Sequence, residues 1–251
     1  MQINEIYLSI NGEAIVTGGD HRRGFYHRRR ALFGMGVPTV FVRTHNCHIQ
    51  CEYCDTVFTW DGSESCKHRE IPDILEEIEE KSKGFKSILL TGGEPGIQKD
   101  ITEFCQAAKD AGYTLAVETA GGCDLDVFGV FPNRPDSIIL DIKGPSSGKK
   151  AMEISWVEGN LEKLLPCDQI KFVIASKEDW DHMIGILDTY DIAHMDHIPE
   201  SEPVVIVSPL FDMEGSHHAK EVIEWILESG RNIVCGIQVH KLIWSPKTRE
   251  V

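Results

Sequence analysis

Short apolar runs alternate along the chain with stretches whose apolar residues recur every three or four positions. Ile71, Ile74, Leu75 and Ile78 share one face of a helix predicted over 71–83, with Glu76, Glu77, Glu79 and Glu80 turned outward. Further helices are expected over 100–111, with Asp100 as its cap, over 178–188 and over 217–229. Between them lie runs of strand length at 5–10, 37–43, 87–90, 114–117, 137–140, 169–174, 204–207 and 233–239. Strands that alternate with helices suit a parallel sheet with helices outside. Right-handed crossovers curl such a sheet toward a barrel. The βα series holds about six strands, fewer than a closed eightfold barrel needs. The expected fold is therefore α/β, a partial (β/α)6-type barrel in one domain spanning 1–251. Glycine and polar residues recur just past the strands, at 91–95, 118–122 and 141–145. In parallel barrels that edge carries the site.

Composition narrows the functional classes. The net charge of −15 argues against a nucleic-acid-binding surface. No apolar stretch reaches the roughly 18 residues of a membrane span, and Met1 to Ile10 lacks the pattern of a signal peptide. A cytoplasmic, reducing compartment is expected, so the eight cysteines are not read as a disulfide framework. The segment 17–36 departs from the acidic balance, with His21-Arg22-Arg23 and His27-Arg28-Arg29-Arg30. It reads as a basic solvated loop, or as a lid or an anchor for an acidic partner.

Cys47, Cys51 and Cys54 stand in a C-x3-C-x2-C spacing just after the 37–43 strand. Thiolates are soft ligands that suit iron–sulfur clusters and zinc. A cubane held by three cysteines leaves its fourth iron open to a small ligand. Zinc with His45, His48 or Cys66 as fourth ligand is the alternative. Cys66, Cys105, Cys123, Cys167 and Cys235 fall at no ligand spacing and read mostly as small buried apolar residues. Thr91-Gly92-Gly93-Glu94-Pro95 directly follows a strand. Its glycines can offer backbone groups to a ligand and Glu94 an acceptor, although by itself the segment also suits an ordinary βα turn.

The cysteine spacing, with Tyr53 just before the third cysteine, resembles the radical S-adenosylmethionine superfamily. There the open iron takes the amino and carboxylate groups of S-adenosylmethionine. Gly92-Gly93-Glu94 resembles the superfamily segment that binds that amino group. An ordered series then narrows the resemblance to the 7-carboxy-7-deazaguanine synthase family, over nearly the whole chain from Glu5 to Ile243. It comprises Asn11-Gly12-Glu13, Phe41-Val42-Arg43, Cys54-Asp55-Thr56, Val117-Glu118-Thr119, Asp141-Ile142-Lys143 and Gln238-Val239-His240-Lys241-Leu242-Ile243.

The resemblance implies a radical-SAM barrel and a lyase that converts 6-carboxy-5,6,7,8-tetrahydropterin to 7-carboxy-7-deazaguanine with loss of ammonia, in queuosine biosynthesis. It implies a 4Fe-4S cluster on Cys47, Cys51 and Cys54, and magnesium on Thr56. S-adenosylmethionine would meet Tyr53, Cys54, Asp55, Gly92, Gly93, Glu94, Asp141 and Lys143. Substrate would meet Asn11, Gly12, Glu13, Arg43, Thr91, Glu118 and His240. A flavodoxin- or ferredoxin-like low-potential electron donor and a homodimer are implied as well. The chain departs from the pattern in several places. Asn11 stands where the family usually has Gln, His48 stands where Asn is common, and the 17–36 insert separates the first two motifs. The chain also continues past Pro246, where shorter relatives can use a terminal carboxylate to close the pocket. A glycyl-radical activase would share the cysteine and Gly-Gly-Glu motifs but gives no reason for Thr56, Glu118 and His240. A non-enzymatic zinc-binding scaffold has no need of Gly-Gly-Glu or of the residues at the strand ends.

Overall fold

The computed structural model describes residues 1–12, 36–155, 159–194, 202–211, 216–244 and 248–250. Its centre is one sheet: β1 (Ile3–Ile10), β2 (Pro38–Thr44), β3 (Ser87–Gly92), β4 (Thr114–Thr119), β5 (Ser137–Ile142), β6 (Gln169–Ile174), β7 (Val204–Pro209) and β8 (Ile233–Cys235). The strands lie in sequence order. β1 runs antiparallel to β2 and every later pairing is parallel. β1 and β8 are the two edges, so the sheet is open. The six strands expected in the βα series correspond to β2–β7, and β8 adds a short seventh parallel strand.

Six helices accompany the sheet among the described residues: α1 (Ile71–Ser82), α2 (Ile101–Asp110), α3 (Lys149–Ile154), α4 (Lys177–Thr189), α5 (Ser216–Glu228) and α6 (Val239–Ile243). α1 follows its predicted periodicity: Ile74 and Ile78 are buried, and Lys83 ends it in the left-handed region at φ 51°. α4 begins with a capping box between Ser176 and Asp179. Asp100 holds the N-cap position of α2, but its side chain makes no cap bond. It accepts instead from the amino group of Met1 at 3.2 Å.

Strand alternation sorts the side chains onto two faces. Val40 and Val42, Ile88 and Leu90, Leu115 and Val117, Ile138 and Leu140, and Ile170 and Phe172 all enter the main core. The residues between them, including Phe41, Arg43, Leu89, Thr91, Glu118, Asp141 and Lys171, line a cavity on the other face. Leu89, Ala116 and Ile139, with Phe41 against them, form a small separate apolar cluster. β1 through β7 therefore carry core on one side and cavity-lining residues on the other.

The last strand is shorter than the sequence pattern suggests. The run expected over 233–239 leaves the sheet after Cys235. Gly236 still donates its N–H to Val207 O at 2.8 Å. A Cβ there would meet Ser208 Oγ at 2.6 Å, so only glycine fits the approach. The chain then turns into α6, whose first residue packs on Gly12: a Cβ on Gly12 would lie 3.0 Å from Val239 N. Tertiary packing overrides the apolar run here.

Of the basic 17–36 segment only Gly36 falls within the described residues. The insert joins two antiparallel strands, and both its flanks are held. Asn11 N donates to Val37 O at 2.9 Å and Gly36 N to Asn11 O at 2.7 Å.

Candidate functional site

The cluster loop leaves the C-terminal end of β2. Asn46 and Gln50 both sit in the left-handed region, at φ 72° and 58°, on either side of Cys47 and His48. Such backbone is costly for residues other than glycine and recurs at functional sites. Here it turns the chain sharply, so that Cys47, Cys51 and Cys54 all reach the rim of one cavity of about 570 Å3. All three are free thiols. Burial pushes the Cys51 thiol up to about 11 and raises Cys47 as well, a cost that binding to a metal would offset.

Neighbouring segments brace the loop. Glu52 N donates to Ser147 O at 3.0 Å, and Lys150 Nζ to Gln50 Oε1 at 2.9 Å. The end of β3 presses against it from the other side. A Cβ on Gly92, at φ 143°, would lie 2.3 Å from Thr44 N, and one on Gly93 would lie 2.1 Å from Asn46 O. The Gly-Gly pair therefore has a packing duty in addition to lining the cavity. Glu94 is fully buried. It accepts from Gly96 N at 2.9 Å, Thr119 Oγ1 at 2.6 Å and Ala120 N at 2.9 Å. Burial nevertheless holds its carboxyl above the usual range.

Along the cavity wall the register sets charged pairs. Arg43 donates from Nε to Glu5 Oε2 at 3.0 Å and from Nη2 to Tyr7 Oη at 3.1 Å. Lys171 donates to Glu118 Oε1 at 2.7 Å, and Thr91 Oγ1 to Glu118 Oε2 at 3.0 Å. Burial would raise the Glu118 carboxyl, but Lys171 beside it holds it below the usual glutamate range, so it is ionised at neutral pH. Burial would lower Lys143, yet Asp141, 2.7 Å away, holds it well above the usual lysine range. Lys241 on α6 pairs with Asp55 at 2.7 Å and so ties that helix to the cluster loop. Tyr7 and Phe41 stack with ring centroids 5.2 Å apart and planes 6° apart, a flat apolar surface among these charges.

Most of the candidates share this cavity. Asn11, Gly12, Arg43, Tyr53, Asp55, Thr56, Thr91, Glu118, Asp141 and Lys143 line it along with the cysteines and Gly92-Gly93-Glu94. Glu13 and the side chain of His240 lie outside the described residues.

The donor set fits a thiolate-held cluster and a polar cofactor. Trp60 Nε1 donates to Cys54 Sγ at 3.4 Å, and Thr56 Oγ1 lies 3.5 Å from the same sulfur. Tyr53 Oη and Asp141 Oδ1 are buried with no partner among the described residues, the condition of groups that a ligand completes. Of the possible fourth zinc ligands, His45 Nδ1 is taken by Asn4 Oδ1 at 3.0 Å.

Sequence reasoning passed over Glu5, Tyr7, Lys171 and Arg249, all of which line the cavity. Lys171 carried a signal, a lysine inside the apolar run Gln169–Ile174. Glu5 and Tyr7 share one face by a period of two, with Glu5 opposite Arg43 and Tyr7 opposite Phe41. Arg249 carried none, because its place depends on how the end of the chain folds back.

The model of the radical SAM superfamily matches residues 41–226. A 7-carboxy-7-deazaguanine synthase of Koribacter versatilis is 30% identical over 263 aligned residues, covering the whole of both chains. One of Clostridium acetobutylicum is 29% identical over all of this chain and 99% of the relative. The crystal structure of QueE from Escherichia coli superposes with a TM-score of 0.67 over 94% of this chain and 93% of that one, at 19% identity, which speaks to the fold.

Proposed function

The chain belongs to the radical SAM superfamily and, within it, to the 7-carboxy-7-deazaguanine synthase family, and from that premise we propose that it converts 6-carboxy-5,6,7,8-tetrahydropterin to 7-carboxy-7-deazaguanine with loss of ammonia. That is a carbon–nitrogen lyase step of queuosine and 7-deazapurine biosynthesis. The observation that carries this reading is one cavity with three free thiols at its rim and Arg43, Glu118 and Lys171 along its wall.

Cys47, Cys51 and Cys54 would hold the 4Fe-4S cluster. Tyr53, the Gly92-Gly93-Glu94 edge, Asp141 and Lys143 would receive S-adenosylmethionine, and Thr56 would give magnesium one hard oxygen. Bound there, the cluster and S-adenosylmethionine would supply a one-electron start to the reaction, and magnesium a positive charge for the substrate carboxylate. The chain's own residues bind and orient the substrate. Arg43 keeps its guanidinium beside the cavity for the substrate carboxylate. Glu118 is ionised, and a carboxylate has more lone-pair sites than Lys171 and Thr91 fill, so it can still accept from the N–H edge of a pterin. The Tyr7–Phe41 stack suits the face of a flat ring. Asn11, Gly12, Glu13 and His240 complete the substrate set by resemblance.

We read the chain as one domain, acting as a homodimer in the cytoplasm with a flavodoxin- or ferredoxin-like electron donor. All eight cysteines are free thiols, which suits a reducing compartment. The exposed side chains of Ile237, Leu242 and Ile243 offer a second copy an apolar surface. Among the described residues no helix is long and apolar enough to cross a membrane.

Anaerobically reconstituted protein, given S-adenosylmethionine, magnesium, a low-potential reductant and the tetrahydropterin, should release 7-carboxy-7-deazaguanine and ammonia in equal amounts. Cleavage of S-adenosylmethionine without either product would overturn the substrate assignment.

A further inference from the structure

Arg249 belongs to none of the sequence motifs, yet it borders the cavity. Its Nε donates to Glu5 Oε1. Its Nη1 donates to Glu64 Oε1 at 2.6 Å, and its guanidinium lies 3.8 Å over the ring of Phe58. Glu5, whose side chain is only 3% exposed, thus stands between two guanidinium groups. Oε2 accepts from Arg43 and Oε1 from Arg249.

This division of the Glu5 carboxylate has a consequence for Arg43. An arginine and a carboxylate left to themselves favour a fork-to-fork pair with two parallel bonds. Such a pair, made side-on through Nε and Nη2, would occupy both oxygens of Glu5 and draw Nη2 away from Tyr7. Arg249 holds Oε1, so Arg43 meets Glu5 through Nε alone. Its Nη2 bonds Tyr7, and its Nη1 bonds no described residue.

We propose that Arg249 is a substrate-positioning residue: by holding Oε1 of Glu5 it keeps Arg43 Nη2 on Tyr7 and so fixes the guanidinium in the orientation that leaves Nη1 to bind the carboxylate of the substrate. This rests on the pterin-binding function proposed above. The role needs no contact between Arg249 and the substrate. The contacts of Arg249 with Phe58 and Glu64 orient the guanidinium, and its contact with Glu5 carries the effect.

Calorimetric titration of the reconstituted protein with the tetrahydropterin and, separately, with S-adenosylmethionine tests this. In Arg249→Ala the pterin Kd should rise roughly tenfold, the equivalent of one charge-assisted hydrogen bond. The S-adenosylmethionine Kd should stay unchanged. Arg249→Lys can still place a cation on Oε1 but loses the stack on Phe58 and the fork on Glu64, so it should recover most of the pterin affinity. Three results would overturn the proposal: wild-type pterin affinity in Arg249→Ala, equal weakening of both ligands, or a Lys variant as weak as the Ala variant. Wild-type protein that does not bind the pterin at all is a different result. It would refute the proposed function, and the positioning role with it.

Discussion

Lys171 reaches past β5 to place its ammonium 2.7 Å from Oε1 of Glu118, joining two strands that are not neighbours in the sheet. Both side chains are largely buried, at 6% and 20% exposure. A buried pair of this kind adds little net stability, but losing one partner strands the other.

Lys171→Met should therefore destabilise the protein by about 3 kcal/mol at neutral pH. The pH dependence gives the sharper test. In the wild type Glu118 lies below the ordinary 4.5. Its contribution is full above that value and is lost as pH falls through the lower folded value. Without Lys171, burial is opposed only by Lys143 and the Thr91 hydroxyl, and the folded pKa of Glu118 rises. Protonated Glu118 is then favoured, so the penalty should shrink as pH falls toward 4. Urea unfolding of both proteins at pH 7 and near pH 4 would show this. A gap independent of pH would mean that Glu118 does not depend on Lys171 for its charge.

The cysteines separate by environment. Cys47, Cys51 and Cys54 line the cavity, whereas Cys105 is fully buried in the main core. Alanine at any of the first three should abolish bound iron and turnover. Cys105→Ala should keep both and lower stability by about 1 kcal/mol through lost packing. Iron analysis and thermal unfolding decide it. Full iron content in a Cys51→Ala protein would break the ligand assignment.

The sheet was legible in the sequence because one rule of alternation serves both its faces. Val42 and Arg43 are adjacent, and one enters the core while the other lines the cavity. The three-cysteine loop was legible from its spacing, and a cluster rather than zinc only from the resemblance. What escaped was decided by distant packing. The apolar run from Ile233 stops being a strand because Gly236 backs onto Ser208 and Val239 seats on Gly12. The inward bonds of Glu94 to Thr119 and Ala120 depend on where β4 ends. Arg249 meets Glu5 across 244 positions of sequence, beyond the reach of any local pattern.

The indole N–H of Trp60 donates to Cys54 Sγ at 3.4 Å. Hydrogen bonds to cluster sulfurs stabilise the reduced, more negative state and raise the reduction potential. Trp60→Phe keeps an aromatic ring and removes the donor. The cluster should still assemble with wild-type iron content, and its potential should fall. Redox titration followed by electron paramagnetic resonance measures both. An unchanged potential would mean that the bond does not act on the cluster.

Thr56 lies two residues after Cys54, with Oγ1 3.5 Å from that sulfur. Its carbonyl is already committed, accepting from Thr59 N at 2.9 Å and from Thr59 Oγ1 at 2.8 Å. Only the hydroxyl is left to serve as an oxygen ligand. A neutral hydroxyl is a weak ligand, and magnesium keeps several waters and leans on anionic groups. Most of the metal's affinity should then come from the substrate carboxylate. Magnesium should bind well only with substrate present. Thr56→Ala removes the oxygen and opens room for a water in its place, so more magnesium should be needed for half-maximal turnover. Thr56→Ser keeps the oxygen and should stay near wild type. The Thr59 bonds to the backbone remain in both variants, so iron content should not change in either. Magnesium titrations of turnover after chelation separate the two. If Ala and Ser respond alike, the Thr56 hydroxyl is not a magnesium ligand.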